Sequence, residues 1–149
     1  MVWKPNVTVA AIVERDKRFL LVEEQTRDGV RLNQPAGHLE ANESLIAAVQ
    51  RETLEETAHE FVPEKITGIY RWAKPESELT YLRFAFSGTV GQHHPDRQLD
   101  EGIIRTVWLS REEILASAAR HRSPLVVRCV EDYLAGRRFG MEALIDCIG

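Results

Sequence analysis

The 149 residues suffice for one domain that buries roughly two-thirds of its unfolded surface and needs no covalent staples. A net charge of −4 without a dense Lys/Arg block argues against polymeric nucleic acid as a partner. The two cysteines, Cys129 and Cys147, lack framework spacing, which points to reduced thiols and a cytoplasmic protein.

An apolar-leaning run over 7–13 is too short to cross a bilayer or to act as a secretory signal, so no membrane association is expected. That run and 18–23 are β-branched or apolar, and the polar break Glu14-Arg15-Asp16-Lys17 between them predicts a hairpin. A turn over 25–29 and a short strand over 30–34 follow, ending at Pro35. From 44 to 57 there is neither Gly nor Pro, and Leu45, Ile46, Ala47, Ala48 and Val49 predict a helix capped by Asn42 or Ser44. Strands are predicted over 66–73 and 80–88, around a turn at Lys74-Pro75-Glu76-Ser77, and again over 105–109. The polar stretch 91–102 reads as a mobile loop. Ser110 caps a helix over 111–119, and Ser123-Pro124 opens another that Gly136 ends. With no repeat or linker in view, one α/β domain over 1–149, a mixed sheet with flanking helices, is the economical architecture.

The helix over 44–57 carries the chemistry. Projected at about 100° per residue, it puts Glu52 and Glu56 on the side of Leu45, Ala48 and Val49, with Glu55 at the edge. Paired glutamates on a helix usually belong to a solvated face, but these continue the inward stripe. Like charges at i+3 and i+4 cost roughly a few tenths of a kcal/mol per pair unless an ion compensates. Hard oxygen ligands at this spacing suit Mg²⁺ or Mn²⁺.

Gly37, Glu43, Arg51-Glu52 and Glu55-Glu56, in that order over 37–59, resemble the signature of the Nudix hydrolases, which cleave diphosphate linkages attached to another moiety. The resemblance implies a Nudix-type α/β/α sandwich built on a central mixed sheet and a loop-helix motif. It implies Glu52, Glu55 and Glu56 as metal ligands, with the Gly37 carbonyl a further one. Glu43 and Arg51 take a structural role, fixing loop against helix through charge-assisted hydrogen bonds. The general base is left open between Glu55 and Glu101, with Asp100 as the nearest rival of Glu101. Three positions depart from the family pattern. Ala58 stands where a Gly is usual, so it either costs about 1 kcal/mol in a left-handed conformation or lets the helix end differently. Thr53 and His59 occupy positions normally apolar; Thr53 can turn its methyl to the core, and His59 is expected to face solvent.

Stretches outside the motif, among them Trp3-Lys4-Pro5-Asn6, Gln34-Pro35-Ala36-Gly37-His38 and Leu82-Arg83-Phe84, resemble a bacterial phosphatase branch of that family. This implies Mg²⁺-dependent release of phosphate from nucleoside di- and triphosphates and from hydroxymethylpyrimidine diphosphate of the thiamin pathway. Strand alternation puts Tyr81 and Arg83 on one face and Leu82 and Phe84 on the other. Arg83 and Tyr81 are therefore candidate substrate residues with Trp72 nearby, Gln34 is a third candidate and His38 lies beside the metal position in sequence, and Phe84 is assigned to the core. His93 and His94 diverge from an extended backbone and make no transition-metal site. Pro75, past the motif, keeps an ADP-ribose or nucleotide-sugar pyrophosphatase as an alternative. A nucleotide-binding domain without turnover is the other, although it leads one to expect a broken carboxylate set. The oligomeric state is open.

Overall fold

The computed structural model describes residues 1–147. β1 (Asn6–Arg15) and β2 (Arg18–Thr26) form the expected hairpin, closed by Asp16 and Lys17 at φ 51° and 63°. Two successive left-handed residues give a turn whose twist matches the paired strands. β3 (Gly29–Asn33) returns along β2, and β4 (Ala36–His38) pairs with β1. α1 (Leu45–Thr57) is followed by β5 (His59–Ala73), β6 (Thr80–His93) and β7 (Ile103–Ser110). α2 (Arg111–Ala116) leads through a short 3₁₀ turn to α3 (Leu125–Leu134).

The strands make one mixed sheet in the order β3-β2-β1-β6-β5, with β7 on β2 and β4 on β1. Only β1 and β6 run parallel, from Asn6↔Tyr81 to Val13↔Gly88, among the described pairs. Val9 to Val13 are at most 2% exposed, which explains why this run is continuously apolar and does not alternate: both faces are covered. On one face Val9, Ala11 and Val13 meet Ala48 and Val49 of α1; on the other Ile12 and Ala85 meet Ile114 of α2 and Val126, Cys129 and Val130 of α3. Helices on both faces of a mixed sheet give the α/β/α sandwich expected from the motif.

Three element boundaries differ from expectation, each for a local reason. β5 starts at His59 instead of 66, and pairs with β6 through register shifts near 59–61, 63–65 and 66–68. Each bulge exchanges the two faces, so the period-2 signal is erased over the first half of the strand. β6 continues past 88 to His93 because Gly88 is an interior glycine: the Val62 carbonyl occupies the space a Cβ would need. α2 ends at Ala116 and not at 119, where Ser117 Oγ lies 2.9 and 3.0 Å from the Glu113 and Ile114 carbonyl oxygens. No helix among the described residues is long and apolar enough to cross a membrane.

Candidate active site

α1 begins at an extended Ser44, whose Oγ accepts from Ala47 N (3.0 Å), the cap expected of Asn42 or Ser44. Its inward face carries Ala48, Val49, Glu52, Thr53 and Glu56, so the apolar stripe does turn acidic within the fold. Thr53 is fully buried and spends its hydroxyl on Val49 O (2.7 Å), which lets the methyl face the core. The helix stops at Ala58, left-handed at φ 58° with its N–H on Leu54 O. Alanine thus adopts the conformation for which glycine is usual, and bears the strain.

His59 is not at the surface. It is 8% exposed, its Nδ1 lies 2.8 Å from Thr57 O, and its ring stacks on His93 at 4.2 Å between centroids. The left-handed turn at Ala58 sends the next side chain inward, where the imidazole fills an apolar position. Burial holds its pKa below the usual histidine range, a shift that the neighbouring His93 reinforces. His94 diverges from His93, as expected, and reaches Glu60 at 2.7 Å.

Arg51 organises the loop-helix junction. Its Nε and Nη2 grip Glu43 at 3.0 and 2.7 Å, Nη2 also donates to His38 O at 3.0 Å, and Nη1 reaches Glu52 at 2.8 Å and Glu55 at 3.3 Å. All three nitrogens of the guanidinium are engaged, leaving this fork little freedom. The Glu43 carboxyl is held below its ordinary range by Arg51 and accepts from Glu40 N (2.9 Å). Gly37, paired with Val9, lies where a Cβ would run into the Glu52 carboxylate, so only glycine lets that carboxylate sit against β4.

The carboxylates gather closely. Oxygens of Glu52, Glu55 and Asp100 lie within 4.8 Å of one another. Asp100 arrives on the segment before β7, which is tied down where a mobile loop was expected: Asp100 N donates to Glu55 O (3.0 Å) and His94 N to Ala58 O (2.7 Å). Glu101, the expected acid, is exposed and outside this group; Asp100 stands beside Glu52 and Glu55. Glu56 accepts from Ala36 N at 2.9 Å, and its burial pushes it up to about 9, opposed by that hydrogen bond and reinforced by the Glu52 charge. Burial also raises Glu52 and Glu55, against the pull of Arg51. Several carboxyls crowded around one arginine fit a divalent cation, whose charge would offset both burial and mutual repulsion.

Glu52, Glu56 and Gly37 line a cleft of about 460 Å³ that also holds Trp72, Tyr81 and Arg83. Trp72 and Tyr81 stack at 5.7 Å across β5 and β6. Arg83 is 5% exposed and donates to Gln34 Oε1 (2.9 Å) and Asn33 Oδ1 (3.0 Å). Gln34 is 1% exposed and does not line the cleft; its Nε2 is bound to Val126 O (2.9 Å), so it stands behind Arg83 and not at the substrate. Asn33 was missed by sequence reasoning, as were Lys74 and Arg122 on the cleft wall, because each reaches the site only through tertiary packing.

A family model for the NUDIX domain matches residues 4–129, and the chain belongs to the Nudix hydrolases. It is similar to the phosphatase NudJ of Escherichia coli, 40% identical over 144 residues, which cover 97% of this chain and 93% of that one. Among solved structures, a NUDIX hydrolase from Nitrosomonas europaea is 55% identical with a TM-score of 0.94, covering 97% of this chain and 98% of that one. A MutT NUDIX hydrolase from Burkholderia pseudomallei shares the fold at TM-score 0.74 and 15% identity, with 87% of this chain and 98% of that one covered. The protein is thus a NudJ-like Nudix hydrolase acting on small phosphorylated substrates.

Proposed function

We propose that this hydrolase is a Mg²⁺-dependent phosphatase, with Mn²⁺ able to substitute, that releases orthophosphate from nucleoside di- and triphosphates and from hydroxymethylpyrimidine diphosphate. The observation that carries the reading is the convergence of Glu52, Glu55 and Asp100 beside a cleft that is basic and aromatic at its other end. The similarity to a protein named as a phosphatase supports phosphate as the product. Glu52, Glu55 and Glu56 would hold the ion, with the Gly37 carbonyl and Asp100 within the same neighbourhood. A divalent ion there supplies neutralisation of phosphate oxygens and activation of water.

The chain's own groups have separate tasks in this reading. Arg51 keeps Glu52 and Glu55 oriented, as partners behind a ligand do in metal sites. Glu55, its pKa raised by burial and by Asp100, is the base that accepts the proton, and Asp100, not Glu101, is the acid that stands beside it. Arg83 and Tyr81 receive the organic portion of the substrate, and Gln34 acts through Arg83. The free thiols Cys129 and Cys147 suit action in the cytoplasm.

The test is a panel of GDP, a nucleoside triphosphate, hydroxymethylpyrimidine diphosphate and ADP-ribose with Mg²⁺, products being identified directly. Orthophosphate from the first three is the expected result. Nucleoside monophosphate plus ribose phosphate as the main products, from ADP-ribose, would identify a nucleotide-sugar pyrophosphatase instead. Binding with no release from any compound would leave only a ligand-binding domain.

A further inference from the structure

Arg83 is buried among neutral partners. Among the described residues, besides Gln34 and Asn33 its guanidinium has only the Cys129 sulfur, at 3.8 Å, and no carboxylate is among these contacts. A buried cation without a counter-charge is costly unless something else completes it. The amides around it are set: Gln34 Nε2 is committed to Val126 O, so its oxygen faces Arg83. Asn33 Oδ1 accepts from Arg83 and keeps one lone pair, while its two N–H groups have no side-chain partner among the described residues.

Sheet register sets Arg83 on the strand that also carries Tyr81, across β1 from the carboxylate end. Arg83 lies opposite Thr8 of β1, and Thr8 opposite His38 of β4, next to the Gly37 that backs Glu52. Two strand spacings, about 10 Å, therefore separate the backbone of Arg83 from that of His38, and the Arg83 side chain spans part of that width to reach Gln34 and Asn33. Tyr81, two residues from Arg83 on the same face, stacks with Trp72, and both rings line the cleft beside Arg83.

We infer that Arg83 and Asn33 select the heterocycle of the substrate, reading a ring edge made of hydrogen-bond acceptors while the ring lies against Trp72 and Tyr81. This rests on the phosphatase reading above. A guanidinium only donates, and Asn33 has two N–H groups to give; Lys74 on the same cleft is a donor as well, while Arg122 is bound to Glu24 at 2.7 Å. A 6-oxopurine presents O6 and N7, two acceptors, to such a pair, whereas adenine opposes one donor with its N6 amine. A pyrimidine can satisfy the same groups with a ring nitrogen. Stacking accepts every ring, so the choice falls to Arg83 and Asn33.

Steady-state kinetics with Mg²⁺ on IDP, ADP and a ringless alkyl diphosphate test this. The native enzyme is expected to favour IDP over ADP by about tenfold in kcat/KM. Arg83→Gln should bring that ratio toward one and cost IDP about tenfold more than it costs the ringless diphosphate. Tyr81→Ala should lower both nucleotides together by roughly tenfold, leaving their ratio in place. Equal losses on IDP and the ringless compound in Arg83→Gln, or a native enzyme indifferent between IDP and ADP, would overturn the inference. If Arg83→Gln does not fold, Asn33→Asp gives the guanidinium an internal carboxylate and removes a donor; an undiminished IDP preference in that variant overturns it equally. Hydrolysis of none of the three compounds would count against the phosphatase reading itself, while hydrolysis of all three at one rate counts only against edge selection.

Discussion

Glu56 is a carboxyl group in a place hostile to its charge. Burial pushes it up to about 9, so the metal-free protein keeps it protonated at neutral pH, while the unfolded chain ionises near the ordinary 4.5. Between those values the native state holds an extra proton, and stability falls as pH rises. The contribution is fully present below the unfolded value and lost as pH passes the folded one. In chelator, the melting temperature should fall from about pH 5 to about pH 9, and Glu56→Gln should flatten that slope. A slope unaltered by the substitution would assign the effect elsewhere. Gly37→Ala tests the neighbouring contact: a Cβ there displaces the Glu52 carboxylate, and turnover should drop by about 10²-fold while the protein still melts cooperatively. The acidic triplet was legible from sequence because helix periodicity alone aligns it. The choice of Asp100 over Glu101 and the orientations of Gln34 and His59 were not, since a turn at Gly102, a hydrogen bond to Val126 and a left-handed Ala58 decide them.

At the level of elements, α1 shows how a good pattern can tolerate one poor residue. Its cap, apolar stripe and uninterrupted helix formers determine it from end to end, and Ala58 carries the strain at its close. Ala58→Gly should therefore stabilise the protein by about 1 kcal/mol, raising the melting temperature by roughly 2–4 °C in a domain of this size. An unchanged or lower melting temperature would mean that the strain is already relieved by neighbours. β5 is the opposite case. Phe61 and Ile66 both reach the core, yet the shifts around Pro63 and Lys65 break the alternation that would announce them as one strand. Bulges depend on the partner strand, so a single sequence does not reveal them.

Across the whole molecule, the succession of strand and helix signals made an α/β domain with flanking helices readable and the motif's resemblance implied its sandwich, while the cleft depends on which distant strands become neighbours. Asn33, Arg83 and Trp72 come from three different strands, and nothing local in their sequence announces that they meet. The parallel pairing of β1 with β6 has a temporal consequence. It joins positions half the chain apart, and such a closure is slow because its entropy is lost before the contacts form. α1 can be made and coiled long before β4, β6 and the Asp100 segment surround its carboxylates, so a cation has no binding site until the last strands are in place. Mg²⁺ added during refolding should accordingly leave the folding rate unchanged and slow unfolding, as expected for an interaction absent from the transition state. A folding rate accelerated by the ion would mean that the carboxylates assemble early. An ion that binds this late would leave the approach to the native state as it is and make the escape from it rare.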